Sequence, residues 1–143
     1  MYIKQISVFV ENKQGRLAEI TEEIAKNGID IRALSLADTT NFGILRLIVD
    51  KPYEAEKILK AAGCTVSLTA VIAIAIDDRP GALAEALRVM ADGGISVEYL
   101  YAFITRKKED AYVIFRMEDN KRASDILVSH GIKLATPEEI YKL

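Results

Sequence analysis

Apolar residues follow two different spacings along this chain, and the order of these spacings predicts the order of strands and helices. Apolar side chains at every second position predict a strand around Ile6–Val10. Apolar positions three and four residues apart then predict a helix that contains Leu17, Ile20 and Ile24. The second half of the chain repeats this succession, with a strand at Val71–Ile76 and helical spacing at Leu83, Leu87 and Met90.

Two more strands, a second helix and a closing strand are predicted after each of these pairs. In the first half, strands Ile31–Ala37 and Gly43–Asp50 flank the polar turn Asp38–Asn41. Asp50 is expected to cap the next helix and Gly63 to end it. The other predicted elements are strands Thr65–Thr69, Val97–Thr105, Ala111–Met117 and Ile132–Ala135, a helix capped by Asp119 and ended by Gly131, and a final helical turn capped by Thr136.

The two halves of the sequence are copies of one unit. With an offset of 66, seven of the twenty positions from Asn12 to Ile31 are identical, including Gly15/Gly81. Further along, an offset of 68 aligns apolar and glycine positions such as Gly63/Gly131. We therefore predict two domains, residues 1–69 and 70–143. Each βαββαβ unit is an α+β, ferredoxin-like arrangement, with two helices on one face of a four-stranded antiparallel sheet.

Composition excludes several classes of function. The 143 residues carry a net charge of −2, so no broad basic field attracts nucleic acid or an anionic membrane. No apolar run approaches the length of a membrane span, and the amino terminus does not look like a signal peptide, which predicts a cytoplasmic protein. One cysteine and one histidine are too few for a disulfide framework or a Cys/His zinc site. We expect no metal and no cofactor.

The most distinctive local sequence lies between the first strand and the first helix of each unit. Glu11–Leu17 and Asp77–Leu83 both place a glycine where the chain turns into the helix. Exposed amides and the positive end of the helix dipole then form a seat for a small anion such as a carboxylate. The Lys-Ser/Thr ending of a triphosphate-binding loop is absent.

These residues resemble the ACT domain, a small-molecule-sensing module best known for binding amino acids. Asp78-Arg79-Pro80-Gly81-Ala82-Leu83 is similar to the D-x-P-G-x-L motif of that family, and the helix after it ends in Gly93-Gly94-Ile95. The first copy, Asn12-Lys13-Gln14-Gly15-Arg16-Leu17, departs from the motif because Gln14 replaces the proline. The likeness covers residues 3–69 and 70–136. The chain thus resembles a stand-alone tandem ACT protein.

The resemblance also implies a location for the ligand. In ACT proteins the ligand commonly lies between two units, held by the first loop of one unit and the start of the second strand of another. Loop amides are expected to bind the carboxylate of an amino acid, while Asn12 or Asp78 and Asp30 or Ser96 accept from its ammonium. The candidate residues are Asn12, Gly15, Arg16, Leu17, Asp30, Asp78, Pro80, Gly81, Ala82, Leu83 and Ser96.

Simpler structural roles are weighed beside these. Asn12 and Asp78 could cap helices, and Glu19 and Glu85 are expected on exposed helix faces. The alternating residues Tyr99–Phe103 favour packing in a core or dimer face over an RNA-binding platform. The remaining interpretations are a solvated hairpin tip at Arg106–Asp110, a helix-dipole partner in His130 and a small apolar residue in Cys64.

We therefore expect a non-catalytic sensor that binds an amino acid or a similar small carboxylate and regulates a partner, such as a metabolic enzyme, allosterically. No set of residues supplies a nucleophile, a base and an orienting group. Apolar residues on both sheet faces favour a homodimer. The alternative is a ligand-free interaction module, acting as a regulatory subunit of a metabolic enzyme or a transcriptional co-regulator. RNA binding ranks third.

Overall fold

The computed structural model describes residues 2–38, 41–103 and 110–143. In chain order, the elements are β1 (Ile3–Glu11), α1 (Arg16–Lys26), β2 (Ile31–Asp38), β3 (Phe42–Val49), α2 (Pro52–Ala61), β4 (Val66–Asp77), α3 (Ala82–Asp92), β5 (Val97–Ala102), β6 (Asp110–Met117), α4 (Asn120–Ser129), β7 (Lys133–Leu134) and α5 (Pro137–Tyr141). Within the described ranges, no helix has the length and apolar character needed to cross a membrane. The fold is mixed α+β, as predicted.

The chain forms two compact units. The first is built mainly from residues Lys4–Thr69 and the second mainly from Ala70–Tyr141, to which the start of β1 through Ile3 also belongs. Tyr2 packs against the core of the second unit, which explains why the first residues group with it. The sequence-based domain 1–69 includes these residues, so its amino-terminal limit differs from that of the compact unit.

One strand occupies the place where two were predicted. The sequence analysis expected a strand Thr65–Thr69 to end one unit and a strand Val71–Ile76 to begin the next. The structure has a single strand, β4, that continues from Val66 to Asp77. The run of β-branched and small residues contains no glycine or proline that would interrupt an extended backbone.

Each unit has the strand order expected for a ferredoxin-like sheet. In the first unit the order is β2-β3-β1-β4, and antiparallel pairing sets Ile6 opposite Leu47 and Val8 opposite Leu45. In the second unit β4 pairs with both β6 and β7, and β6 pairs with β5. Residues directly opposite one another share a sheet face, so these pairs point apolar side chains toward the helices.

A separate hydrophobic core lies in each unit. In the first, Ile20 and Ile24 of α1 and Leu59 of α2 pack on the sheet residues Ile6, Val8, Leu45 and Leu47. In the second, Met90 and Leu127 from α3 and α4 pack on Ile74 and Phe115. Ile20, Ile24 and Met90 are among the residues identified by three- and four-residue spacing, whereas Leu59 and Leu127 of the second helices were not singled out. The periodicity of the sequence thus located the core faces.

The opposite sheet face differs between the units. In the second unit, Tyr101 and Phe103 are each 8% exposed, and the Phe103 ring lies 6.0 Å from that of Tyr112. Tyr101 and Phe103 thus pack in an interior, one of the two locations predicted for the alternating aromatic residues, whereas Tyr99 is half-buried. In the first unit, Phe9 and Phe42 are each 52% exposed.

The predicted helix ends are correct at most positions. Gly63, Gly94 and Gly131 all have the positive φ that ends a helix without a Cβ clash, and Gly28 has it after α1. Asp119 caps α4, because its Oδ1 accepts from the Arg122 amide at 3.0 Å. Thr136 Oγ1 likewise accepts from the Glu139 amide.

The prediction that Asp50 caps α2 is wrong. The residue at the N-cap position is Lys51, and it makes no side-chain cap. Asp50 Oδ1 instead accepts from the Asp30 amide at 2.9 Å, and the Asp50 amide donates to the Asp30 carbonyl. The carboxylate therefore anchors the start of β2 rather than the start of a helix. Thr39 and Thr40 of the predicted turn, Thr105, and residues 106–109 of the predicted tip lie outside the described residues.

Candidate functional site

The two loops between the first strand and first helix of each unit have the same backbone geometry. In the first, the Lys13 amide donates to Glu11 O and the Arg16 amide to Lys13 O. In the second, the Arg79 amide donates to Asp77 O and the Ala82 amide to Arg79 O. The proline that the first loop lacks is therefore not required for this turn.

A glycine with positive φ is the N-cap of both following helices. Gly15 has φ 84° and Gly81 has φ 91°, a conformation that is strained for residues with a Cβ. Glycine has no side chain that could accept a hydrogen bond from the first turn. The backbone N–H groups at the start of each helix are therefore not used by a side-chain cap. Among the described residues, the amides of Gly15 and Leu17 have no acceptor, and neither do those of Gly81 and Leu83. Both loops therefore offer donors suited to an anion.

Asn12 and Asp78 do not cap these helices, since the glycines occupy the cap positions. Both residues are exposed at the loops. Ala82 is 6% exposed and Leu83 packs against the core of its own unit, so these two can offer a ligand mainly backbone groups. Leu17, in contrast, is 39% exposed.

Each loop has an arginine that pairs with a glutamate on the helix after it. In the first unit Arg16 Nη1 lies 3.1 Å from Glu19 Oε2. In the second, Arg79 Nη2 lies 2.7 Å from Glu85 Oε2 and Arg79 Nη1 lies 3.1 Å from Glu85 Oε1. Arg79 Nε makes a longer contact with Asp77 Oδ2. The glutamates are exposed, as predicted, but their pairing was missed. The only sequence indication was an arginine three or six residues before each of them.

These ion pairs change proton affinities. The hydrogen bond from Arg79 lowers the pKa of Glu85 and raises the pKa of Arg79 itself. In the first loop, Lys13 Nζ lies 2.7 Å from Glu11 Oε2, and this hydrogen bond lowers the pKa of Glu11. Glu11, Arg79 and Glu85 therefore stay ionised at neutral pH.

Asp30 and Ser96 lie at the other end of the first helix of their units. Helix α1 has 11 residues, so about 16 Å of helix separates the loop around Gly15 from Asp30. One amino acid cannot contact both within a single unit. Asp30 Oδ2 pairs with Arg32 Nη1 at 2.7 Å, whereas Ser96 is exposed and uncharged. Asp30 therefore has a charged side chain where Ser96 has none, as expected from the sequence, and Arg32 pairs with that charge.

Apolar residues stand exposed on the end strand of the first unit. Leu34 and Leu36 of β2 are 53% and 47% exposed and lie opposite the buried Leu47 and Leu45. Leu34 and Leu36 are therefore on the same sheet face as the helices. The helices cover this face at β1 and β3 but leave it exposed at β2. In the second unit, Leu100 of β5 is 38% exposed. An end strand with exposed leucines is suited to pairing with another chain.

The second unit also has a groove of about 380 Å³ beside its loop, lined by residues of the loop, of the first turns of α3 and of the turn between α4 and β7. Among residues 2–38, 41–103 and 110–143, no three His, Cys, Asp or Glu side chains are grouped as metal ligands.

Comparisons with known proteins agree with this description of the fold. A sequence model described as ACT domain pair matches residues 1–143. A protein from Bacteroides thetaiotaomicron has a crystal structure with a TM-score of 0.94 and 38% identity, covering 100% of this chain and 98% of that one. No curated protein matches the sequence significantly.

Two more distant structures share the fold. The regulatory subunit of aspartate kinase from Thermus thermophilus, in its ligand-free form, has a TM-score of 0.66 and 17% identity, covering 88% of this chain and 91% of that one. Aspartate kinase from Synechocystis has a TM-score of 0.62 and 20% identity, covering 94% of this chain but 26% of the kinase. At these identities the likeness concerns the fold.

Proposed function

The chain belongs to the ACT domain pair family, and from this membership we propose that it is a non-catalytic regulatory sensor of a free amino acid. The observation that carries the proposal is the pair of loops with matching hydrogen bonds and helix-end amides that have no acceptor among the described residues. A ligand carboxylate would accept hydrogen bonds from these amides at the positive end of a helix dipole. The regulatory role named for the Thermus aspartate kinase subunit supports the proposal.

The proposed site is shared between two ACT units. The loop of one unit provides amides around Gly15 or Gly81 and the side chain of Asn12 or Asp78. The start of the second strand of another unit provides Asp30 or Ser96 for the ammonium. The 11 residues of α1 support this division, because within one unit they keep the loop and Asp30 apart.

A second copy of the chain is the proposed source of the other unit. The exposed leucines of β2 lie four and six residues after Asp30 along the chain, so burying them against another copy brings a second unit toward this strand start. The ligand then shifts the population toward the arrangement it bridges, and this shift regulates a partner such as a metabolic enzyme. The size of this population shift is limited by the difference in the ligand's affinity for the two arrangements. A cytoplasmic location is part of the proposal.

Thermal unfolding of the full chain in the presence of each of the twenty amino acids tests the proposal. A ligand at about 100 times its Kd adds about 2.7 kcal/mol to the free energy of unfolding and raises Tm. We expect at least one amino acid to do so. If none does, the ligand-free interaction module is the better interpretation, because the loops then serve only as turns.

The residue assignment is tested by calorimetry on a variant with Asp30→Ala and Asp78→Ala. Loss of acceptors for a charged ammonium is expected to weaken binding by about tenfold or more. The matched control is Glu54→Ala with Asp125→Ala, which removes two exposed carboxylates from α2 and α4, helices that supply no residue of the proposed site. Equal affinity in the wild type and the Asp30/Asp78 variant would show that the ammonium is bound elsewhere.

A further inference from the structure

The free edge of β2 can pair with a strand of a second copy of the chain. Within the described part of the chain, β2 is the end strand of its sheet and pairs with β3 alone. This pairing is regular from Ala33 to Asp38, after a bulge between Ile31 and Ala33. An end strand presents a row of backbone donors and acceptors on its outer side, so this regular stretch can be extended by another strand.

The two faces of β2 carry different side chains. Leu34 and Leu36 are exposed on the helix side of the sheet, and Asp38 follows on that side at the same two-residue spacing. Ser35 and Ala37 are half-buried on the other face. One face of the edge is therefore apolar with a charge at its end, and the other has small side chains that let a second backbone approach.

The order of residues in β2 is complementary to itself. In a two-fold pair of antiparallel strands, residues directly opposite one another share a sheet face, so the axis passes through a residue. An axis through Ser35 sets Leu34 opposite Leu36 of the second copy. The same axis sets Arg32 opposite Asp38 of the second copy. Each pair occurs twice, and apolar side chains and opposite charges face each other in both.

The neighbouring registers match poorly. An axis through Leu34 would set Leu36 opposite Arg32 and would set Asp38 opposite Asp30, which has the same charge. An axis through Leu36 would set Leu34 opposite Asp38. Like charges directly opposite destabilise a strand pair, and a carboxylate against a leucine loses water without gaining a partner. An axis farther along the strand in either direction brings no two leucines together, so the side chains select the axis at Ser35.

Arg32 can bind a carboxylate of each copy. Its Nη1 lies 2.7 Å from Asp30 Oδ2 of its own chain. A guanidinium has five N–H donors in a planar fork, so a second carboxylate can bind beside the first. With the part of its own chain that the structure describes, Asp38 makes no ion pair. The second copy therefore provides Asp38 with a cation.

We propose that two copies of the chain join through β2 as an antiparallel pair with a two-fold axis at Ser35. The sheets of the two first units then form one continuous sheet. The inference rests on the proposed function for the presence of a second copy, and it names the surface and register through which that copy binds.

This register also brings together the two elements of the proposed shared site. β1 and β2 run in the same direction, since both are antiparallel to β3. In an antiparallel pair the start of one β2 lies beside the end of the other. Asp30 therefore lies at the same end of the joined sheet as the loop after β1 of the second copy.

Disulfide cross-linking of the full chain tests the register. Cys64→Ala removes the single cysteine and gives a background without thiols. In this background, Ser35→Cys places two thiols opposite each other across the axis, with Cα atoms about 4.5–5.5 Å apart, which suits a disulfide. We expect oxygen and a copper catalyst to convert most of the protein to a covalent dimer on a non-reducing gel.

Ala37→Cys is the matched control, because Ala37 lies on the same face and is half-buried like Ser35. In the proposed register the two thiols of this variant are four residues apart along the strands, or about 14 Å, which is too far for a disulfide. We expect a yield of covalent dimer at least tenfold lower than that of Ser35→Cys. Equal yields, or a higher yield from Ala37→Cys, would overturn the register.

Reversing the charge of Asp38 is a second test, and it leaves Ser35 unchanged. Asp38→Lys sets a lysine opposite Arg32 of the other copy at both ends of the pair. We expect the dimer Kd, measured by sedimentation equilibrium, to rise about tenfold or more. Asp92→Lys makes the same change of charge on an exposed residue of α3 and should leave Kd unchanged. A dimer Kd for Asp38→Lys equal to that of the wild type would overturn the inference.

The outcomes separate this inference from the proposed function. If the chain is a dimer and binds an amino acid but Ser35→Cys cross-links no better than Ala37→Cys, the register is wrong and the proposed function stands. If no amino acid raises Tm while Ser35→Cys cross-links as expected, the β2 pair is supported and the proposed sensor is wrong. A chain that sediments as a monomer overturns the pair.

Discussion

Arg79 and Glu85 show what the sequence could and could not provide at the level of single residues. The helical spacing of the sequence placed Glu85 on an exposed face, and the structure agrees. It did not place the Arg79 guanidinium against both carboxylate oxygens. Arg79 lies in the loop before the helix, so the pairing depends on a backbone turn set by Gly81 and on side-chain rotamers. Residue type and helical spacing specify neither.

The pair predicts how Glu85 titrates. Arg79 lowers the pKa of Glu85 in the folded chain, so the pair contributes stability above the unfolded pKa, near 4.5, and loses it as pH falls through the lower folded value. Arg79→Ala is expected to raise the pKa of Glu85 toward its ordinary value, as measured by carboxyl-carbon NMR. Arg88→Ala, which removes an exposed arginine paired with Asp92, is the control. An unchanged Glu85 pKa in Arg79→Ala would contradict the assignment.

At the level of elements, the sequence predicted the alternation of strands and helices better than the roles of the residues that join them. Asp50 and Asp119 are both aspartates just before a helix, yet only Asp119 acts as a cap. Asp50 is one residue too early and is close enough to bind the Asp30 amide. That amide is twenty residues away in sequence, so local pattern could not reveal it. The continuity of β4 escaped prediction because the repeat suggested a boundary there.

Removing the carboxylate of Asp119 tests the cap of α4. Asp119→Ala is expected to lower the free energy of unfolding by about 0.5–2 kcal/mol, because the Arg122 amide loses its acceptor. Asp119→Asn keeps an acceptor oxygen and is expected to retain most of the stability. Urea denaturation followed by circular dichroism measures both. If alanine and asparagine were equally destabilising, the loss would not be that of the cap.

At the level of the whole molecule, duplication explains both the symmetry of the chain and its differences. Two units with the same strand order and the same loop turns could be predicted from seven identities in twenty positions. The differences came from substitutions whose effect depends on three-dimensional neighbours. Arg16 and Ala82 occupy equivalent positions, but only the fold shows that the arginine reaches Cys64 and that the alanine leaves a groove. The two copies therefore share a backbone and differ in the side chains around the same loop.

The exposed leucines of β2 predict self-association. We expect the chain to sediment as a dimer and the variant Leu34→Lys with Leu36→Lys to shift toward monomer. Burying a leucine contributes about 1.5–3 kcal/mol, and lysine on an end strand opposes pairing, so the dimer Kd should rise by about tenfold or more. Tyr53→Lys changes a residue of α2 that is 65% exposed and should leave the dimer intact. If the leucine variant is still a dimer, the dimer interface lies elsewhere on the chain. The exposed leucines would then not bring a second copy to the start of β2, and the amino acid would have to bind without it.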